Sequence, residues 1–429
     1  MQYELIHPRE QLQILMKRIY RYGMTTTSGG NMSILDDKGD ICITPTGVDK
    51  GALTWDDIVQ VKANGNVKGR HQPSSEFLFH KTIYEVRPDI RGIVHAHPST
   101  LVSYSIVRKI PPIKIIPQAN EVCGQIGFAS YALPGSKKLG QNIASTFEAG
   151  IESVMMENHG VVCGGKNLLH AFQRFETLDF CARLAIKAIV LGGYHELNDH
   201  QLSLFYHTKN ELREFYPEYR SNRERVYRRH ICEIVHRAYE QQMMTSTEGV
   251  VSVRLDKDSF LITPTSKDRK LLNIVDVVLI HHAKRELGKL PSRSVLLHDR
   301  IYKDHPEIQS IMSAQAPSAT AFSVSEELFN TRTIPESYIL LRDIPKISYG
   351  PQYTDEQVIS DRISENTPVV LQQNDAVLTV GSTLLEAFER LEVAEFSARS
   401  LIDAKILGGL IAINEHQIRK IKLHYLNTN

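Results

Sequence analysis

Apolar positions Leu12, Leu15, Ile19 and Tyr22 recur every three or four residues and predict an amphipathic helix over residues 8–22. Ser28-Gly29-Gly30-Asn31 reads as a turn, and the short runs Met32–Leu35 and Ile41–Thr44, split by Asp37-Lys38-Gly39-Asp40, read as a hairpin. After Pro73, the stretch from Ser74 to Tyr84 predicts a helix with Ser74 and Ser75 at its N-terminus. Ile93-Val94 is a short strand entering His95-Ala96-His97, and Pro98 marks the start of another helix. Val154–Met156 and Val161–Cys163 bracket Asn158-His159-Gly160. A long helix then places Leu168, Phe172, Phe175, Leu178, Ala182, Ala185 and Ile189 on one buried face. Adjacent early strands, followed by strands alternating with helices, predict an α/β sandwich around a mixed or antiparallel sheet.

The pattern occurs twice. Ile43-Thr44-Pro45-Thr46 returns as Ile262-Thr263-Pro264-Thr265. Pro73-Ser74 and His80 return as Pro291-Ser292 and His298. Arg174–Gly193 returns as Arg390–Gly409 with ten identities in twenty. Order is kept over a period far longer than a solenoid repeat, which predicts two tandem copies of one domain. The expected division is a first domain over 1–200, a connector over 201–225 and a second domain over 226–429. The connector is polar but not Gly/Ser-rich, so a flexible tether is not expected.

Composition narrows the function class. Over 429 residues, 50 Lys+Arg against 49 Asp+Glu excludes a globally basic nucleic-acid binder. Five cysteines without close spacing predict core thiols and a reducing compartment rather than disulfides. The N-terminus lacks the apolar core of a signal peptide, and the stretch 184–191 is short and interrupted by Lys187. A cytoplasmic protein with no membrane and no nucleic-acid partner is expected.

Three features carry chemistry. On a strand, His95 and His97 point to the same face, so their imidazoles can share one ion. Solvated histidines have the same spacing. His159, on a turn, is a candidate third ligand, and three protein nitrogens on zinc leave a position open for substrate. Pro73-Ser74-Ser75-Glu76 offers hydroxyls and free N–H groups to a phosphate at a helix N-terminus. The same residues also make an ordinary helix cap. Ser28-Gly29-Gly30-Asn31 and Thr46-Gly47 are further loops able to face an anion.

Taken in order, Ser28-Gly29-Gly30-Asn31, Thr44-Pro45-Thr46-Gly47, Pro73-Ser74-Ser75-Glu76 with His80, His95-Ala96-His97 and Asn158-His159-Gly160 resemble the class II aldolase/adducin family. The resemblance covers residues 8–195 and, more weakly, 226–412. It implies a class II aldolase-like α/β/α sandwich with a central, mostly antiparallel sheet in each of two copies. It implies Zn2+, or another divalent transition metal, on His95, His97 and His159. Glu76 would be the acid/base and would ligate the metal when substrate is absent. Gly30, Asn31, Thr46, Gly47, Ser74 and Ser75 would bind the substrate phosphate. The implied reaction is cleavage of a ketose phosphate to dihydroxyacetone phosphate and an aldehyde; dehydration or decarboxylation in the same fold, or a non-catalytic adducin-like assembly role, are the alternatives. Glu at position 76 matches the aldolases of the family, whereas its epimerases carry Asp. The family's general-acid tyrosine is missing after Ile110-Pro111.

The second copy lacks the chemistry. Ser294 stands for Glu76, Arg293 for Ser75, Ser313 for His95, Gln315 for His97, Asp375 for His159, Ser266 for Gly47, and Val250 stands near Asn31. The core row Leu384, Phe388, Leu391, Ala394, Ala398 and Leu401 is kept. A catalytically dead domain retained for assembly is expected, in a homo-oligomer whose two chains form a pseudo-four-fold ring. Tyr338, after Ile334-Pro335, is the expected substitute proton donor.

Overall fold

The computed structural model describes residues 3–207 and 211–426. Two compact units divide the chain: Met1–Ile113 with Gln118–Arg183, and Lys114–Pro117 with Leu184–Asn429.

The first unit is built on eight strands: β1 (Asn31–Leu35), β2 (Ile41–Ile43), β3 (Val59–Val61), β4 (Val67–Lys68), β5 (Gly92–Ala96), β6 (Ile126–Ala129), β7 (Ser153–Met156) and β8 (Val161–Gly165). Their order is β4-β3-β2-β1-β5-β8-β7-β6, antiparallel except for β6 beside β7. The helices include α1 (Pro8–Arg21), α2 (Phe77–Val86), α3 (Ser99–Ile106), α4 (Pro117–Cys123), α5 (Lys137–Glu148) and α6 (Leu168–Val190). Successive strand residues face opposite sides of the sheet. Ile41, Ile43, Ile93, Val154 and Val162 therefore meet Phe79, Ile83, Leu139, Ile143 and Phe147 of α2 and α5 in one apolar core. On α1, Arg18 stacks its guanidinium 4.5 Å from the ring of Phe172 on α6.

The second unit repeats this plan. Its strands are β9 (Glu214–Phe215), β10 (Val250–Arg254), β11 (Ser259–Ile262), β12 (Val278–His281), β13 (Lys284–Glu286), β14 (Ser310–Ala314), β15 (Lys346–Ile347), β16 (Val369–Gln372) and β17 (Val377–Gly381). The order β13-β12-β11-β10-β14-β17-β16-β15 reproduces that of the first sheet, with β9 added on the β13 edge. Register is also kept: Asn31 pairs with His95, and Val250 pairs with Ser313. The chain is a tandem duplication of one mixed α/β domain.

Several sequence expectations need correction. The helix expected from Ser74 starts at Phe77, with Glu76 as its cap. Pro73 is held in an isolated bridge to Pro45, so Ser74 and Ser75 turn the chain before the helix begins. Ile189, placed on the buried row, is 57% exposed: at this end of α6 Ala188 and Leu191 are the covered positions, and Ile189 shares the open side with Ile186. His97 lies just beyond β5, which ends at Ala96. The counterpart of Ile334-Pro335 is Ile116-Pro117, not Ile110-Pro111: each dipeptide opens a seven-residue helix, Pro335–Leu341 and α4. All five cysteines are free and buried. Burial pushes Cys42 up to about 11 and Cys163 and Cys232 up to about 12, so they are inert core thiols.

Candidate metal centre

The site follows from register. His95 shares the sheet face of Ile93, the face covered by α2. Glu76 at the start of α2 therefore meets it, with Glu76 Oε2 3.2 Å from His95 Nε2. His97 arrives from the β5–α3 connection and His159 from the β7–β8 turn. That turn has Asn158 at φ 53°, a conformation asparagine tolerates. Gly160 follows it, where a Cβ would come within 2.6 Å of Ala96 O and 2.5 Å of His97 Cδ2.

The three rings converge. Their centroids are 4.7, 5.1 and 4.9 Å apart, and one nitrogen from each lies within 4.8 Å of the others. The Nε2 atoms of His95 and His97 are 3.0 Å apart. Tetrahedral zinc–nitrogen bonds of about 2.05 Å would place donor atoms about 3.3 Å apart, so small ring movements suffice. His95 donates its Nδ1–H to Val161 O over 2.9 Å, which leaves the Nε2 lone pair facing the centre. Among the described residues no second group of three such donors occurs.

Electrostatics favours the neutral form of two of the three rings. Burial, then the charge on His95, lowers His97 to about 3 and His159 to about 4. Burial opposes charge on His95 too, but Glu76 outweighs it and raises that ring. For Glu76, burial is opposed by His95, His159 and Asn31, which together hold the carboxyl well below its ordinary range. Its Oε1 lies 3.6 Å from His159 Nε2 and has no hydrogen bond among the described residues. A buried anion with an open oxygen beside the neutral rings of His97 and His159 is what a divalent cation would satisfy. His95, His97 and His159, with Glu76 alongside, could therefore hold one.

The expected phosphate residues gather on neighbouring loops. Thr46 N donates to Gln72 O over 3.2 Å, and the Pro45–Pro73 bridge lays residues 45–47 beside 72–75. Thr46, Gly47 and Ser75 are exposed. Ser74 is buried, and its hydroxyl accepts from Glu76 N. Gly30, at φ 71°, lies where a Cβ would meet His95 O at 2.8 Å. Asn31 is placed differently: it is 3% exposed, donates from Nδ2 to Glu76 Oε2 over 2.8 Å and accepts at Oδ1 from His80. Only its second Nδ2 hydrogen is left for an anion.

Tyr338 lies in the second unit at 4% exposure, its ring 5.8 Å from the Arg332 guanidinium. Asn120 of α4 stands opposite it in the first copy. Asp375, in place of His159, accepts from Gln352 Nε2 over 3.1 Å. Two residues were given no role from the sequence. Lys50 is buried, its Nζ reaches Pro45 O at 2.5 Å beside Thr46, and burial lowers it to about 8. Its signal was the basic residue kept as Arg269, whose guanidinium bonds Gly249 O and Lys267 O. His80 is fully buried.

A family profile for the class II aldolase and adducin N-terminal domain matches residues 10–186 and again 229–402. The chain belongs to the class II aldolase and adducin family. It is 36% identical over 174 residues to L-fuculose phosphate aldolase of Methanococcus maripaludis, covering 40% of this chain and 90% of that protein. It is 30% identical over 180 residues to 3-oxo-tetronate 4-phosphate decarboxylase of Haemophilus influenzae, covering 41% of this chain and 85% of that one. A solved L-fuculose 1-phosphate aldolase is 33% identical, covers 46% of this chain and 93% of its own, and has a TM-score of 0.42. These class II aldolase relatives each span about one copy of the duplicated domain. No described helix is long and apolar enough to cross a membrane.

Proposed function

We propose that the first copy is a metal-dependent lyase that cleaves a ketose phosphate to dihydroxyacetone phosphate and an aldehyde. The observation that carries it is the meeting of His95, His97 and His159 with the buried carboxylate of Glu76. A bound divalent cation such as Zn2+ would supply Lewis acidity to the substrate's carbonyl and hydroxyl oxygens. The three imidazoles would hold it, with Glu76 as a further ligand when substrate is absent. Held ionised, Glu76 is a base: it takes the proton from the hydroxymethyl carbon in the synthetic direction and returns it in cleavage. Gly30, Thr46, Gly47, Ser74 and Ser75, with the remaining N–H of Asn31, anchor the phosphate away from the reacting bond.

The decarboxylase relative supports a second reading in which the same residues release carbon dioxide from a phosphorylated oxo acid. An assay for dihydroxyacetone phosphate over a panel of ketose 1-phosphates, run beside carbon dioxide release from 3-oxo-tetronate 4-phosphate, separates the two. Glu76→Gln is the control. Silence on every substrate from metal-loaded protein would leave the adducin-like assembly role.

We place the chain in a reducing cytoplasm, in keeping with its buried free thiols. We also propose that two chains form a pseudo-four-fold ring. Positions covered in the first copy are open in the second: Phe180 is 3% exposed and Phe396 63%, Leu191 4% and Leu407 88%. Tyr338 as proton donor belongs to the same proposal and needs its covered ring to open toward a site.

A further inference from the structure

A chain of hydrogen bonds crosses the core to Glu76. Glu76, His80 and Tyr84 lie four residues apart along α2, while Asn31 and Ser33 lie two apart on β1. Four helical residues advance about 6.0 Å and two strand residues about 6.7 Å, so the two rows stay in step. Ser33 Oγ is 2.7 Å from His80 Nδ1 and 2.8 Å from Tyr84 OH. His80 Nε2 bonds Asn31 Oδ1, and Asn31 Nδ2 bonds Glu76 Oε2.

The polarity is fixed from one end. A carboxylate only accepts, so Asn31 must present its nitrogen to Glu76 and its oxygen to His80. His80 must then carry its proton on Nε2 and accept at Nδ1 from Ser33, which accepts from Tyr84. Every donor points toward the carboxylate, and aligned bonds strengthen one another. The second copy keeps the trio Ser252, His298 and Tyr302 at 2.8 and 2.7 Å. With Val250 in place of Asn31, His298 Nε2 has no partner among the described residues. The trio alone is thus compatible with a domain that lacks the base, while the Asn31 link occurs only where the base occurs.

We infer that His80, acting through Asn31, is a positioning residue that fixes the orientation of Glu76 for proton transfer. The inference rests on the base role proposed for Glu76. Its test compares His80→Leu, His80→Gln, Asn31→Val and, as an internal control, His298→Leu in the full-length chain. The measurements are kcat, KM, metal content, thermal stability and the rate of solvent deuterium entry into dihydroxyacetone phosphate. His80→Leu should lose about 10–100-fold in kcat and exchange at unchanged metal content and KM. Asn31→Val should lose as much in kcat and exchange at unchanged metal content but also raise KM, because it removes a phosphate contact. His80→Gln, which has a donor and an acceptor, should recover most of it. His298→Leu should affect melting alone. Nitrogen NMR of the metal-free wild type should show His80 protonated at Nε2. The inference falls if the wild type exchanges and Asn31→Val exchanges as fast, or if His80 is protonated at Nδ1. Metal-loaded wild type that neither cleaves nor exchanges would overturn the base role itself, and the inference with it.

Discussion

His95 Nε2 stands 3.2 Å from Glu76 Oε2 although the two residues come from different elements, a strand and a helix cap. The relationship couples the charge of the base to the ligand set, and it makes the two separable by mutation. Glu76→Gln keeps the size and the contacts but removes the charge. It should retain metal and lose about 10²–10⁴-fold in turnover. Metal analysis alongside steady-state kinetics checks this; loss of metal with turnover would make Glu76 chiefly a ligand.

Replacing His159 by Ala should abolish tight metal binding while leaving the fold intact, because the ring is held by a turn rather than by the core. Circular dichroism and metal stoichiometry of the purified variant are the readouts.

Gly160→Ala should weaken the site without replacing a ligand. Its Cβ would press on Ala96 O, which is backbone and cannot swing away, and also on the His97 ring. The expected result is weaker metal retention on dialysis and a stability loss of about 1–3 kcal/mol.

Acid stability should depend on Glu286 in the second copy. Burial raises its pKa, but Arg220, Lys289 and Arg228 outweigh burial and hold it near 2. A depressed carboxylate stabilises the fold above its unfolded pKa, and that stabilisation is lost as pH falls from about 4.5 toward 2. Glu286→Gln should destabilise the chain at neutral pH and flatten this acid limb in denaturation measured against pH.

Two substitutions probe the role of the second copy. Phe396→Glu should shift the mass measured by light scattering from two chains to one. Tyr338→Phe should lower kcat if the ring donates a proton; an unchanged kcat under saturating substrate would assign it to the core.

Much of the site was legible because it is written in local patterns. His95-Ala96-His97 before a proline, His159 in an Asn-His-Gly turn, and Glu76 ahead of a helix each announce themselves within a few residues. What was not legible depends on pairing across the sheet. That Asn31 would face Glu76 and His80 follows only from the Asn31–His95 register, which no local pattern reveals. The misplaced Ile-Pro dipeptide shows a related weakness: two such dipeptides occur six residues apart, and only the helix that follows one of them identifies the counterpart. Ile189 fitted the helical period, yet over about six turns the covered stripe drifts, and Ala188 and Leu191 take its place.

The bare ring nitrogen of His298 has an energetic meaning. An unpaired polar atom in a core costs about 1–3 kcal/mol. The carboxyl-terminal half carries that cost among the described residues because it keeps the serine, histidine and tyrosine of the first copy with Val250 where that copy has Asn31.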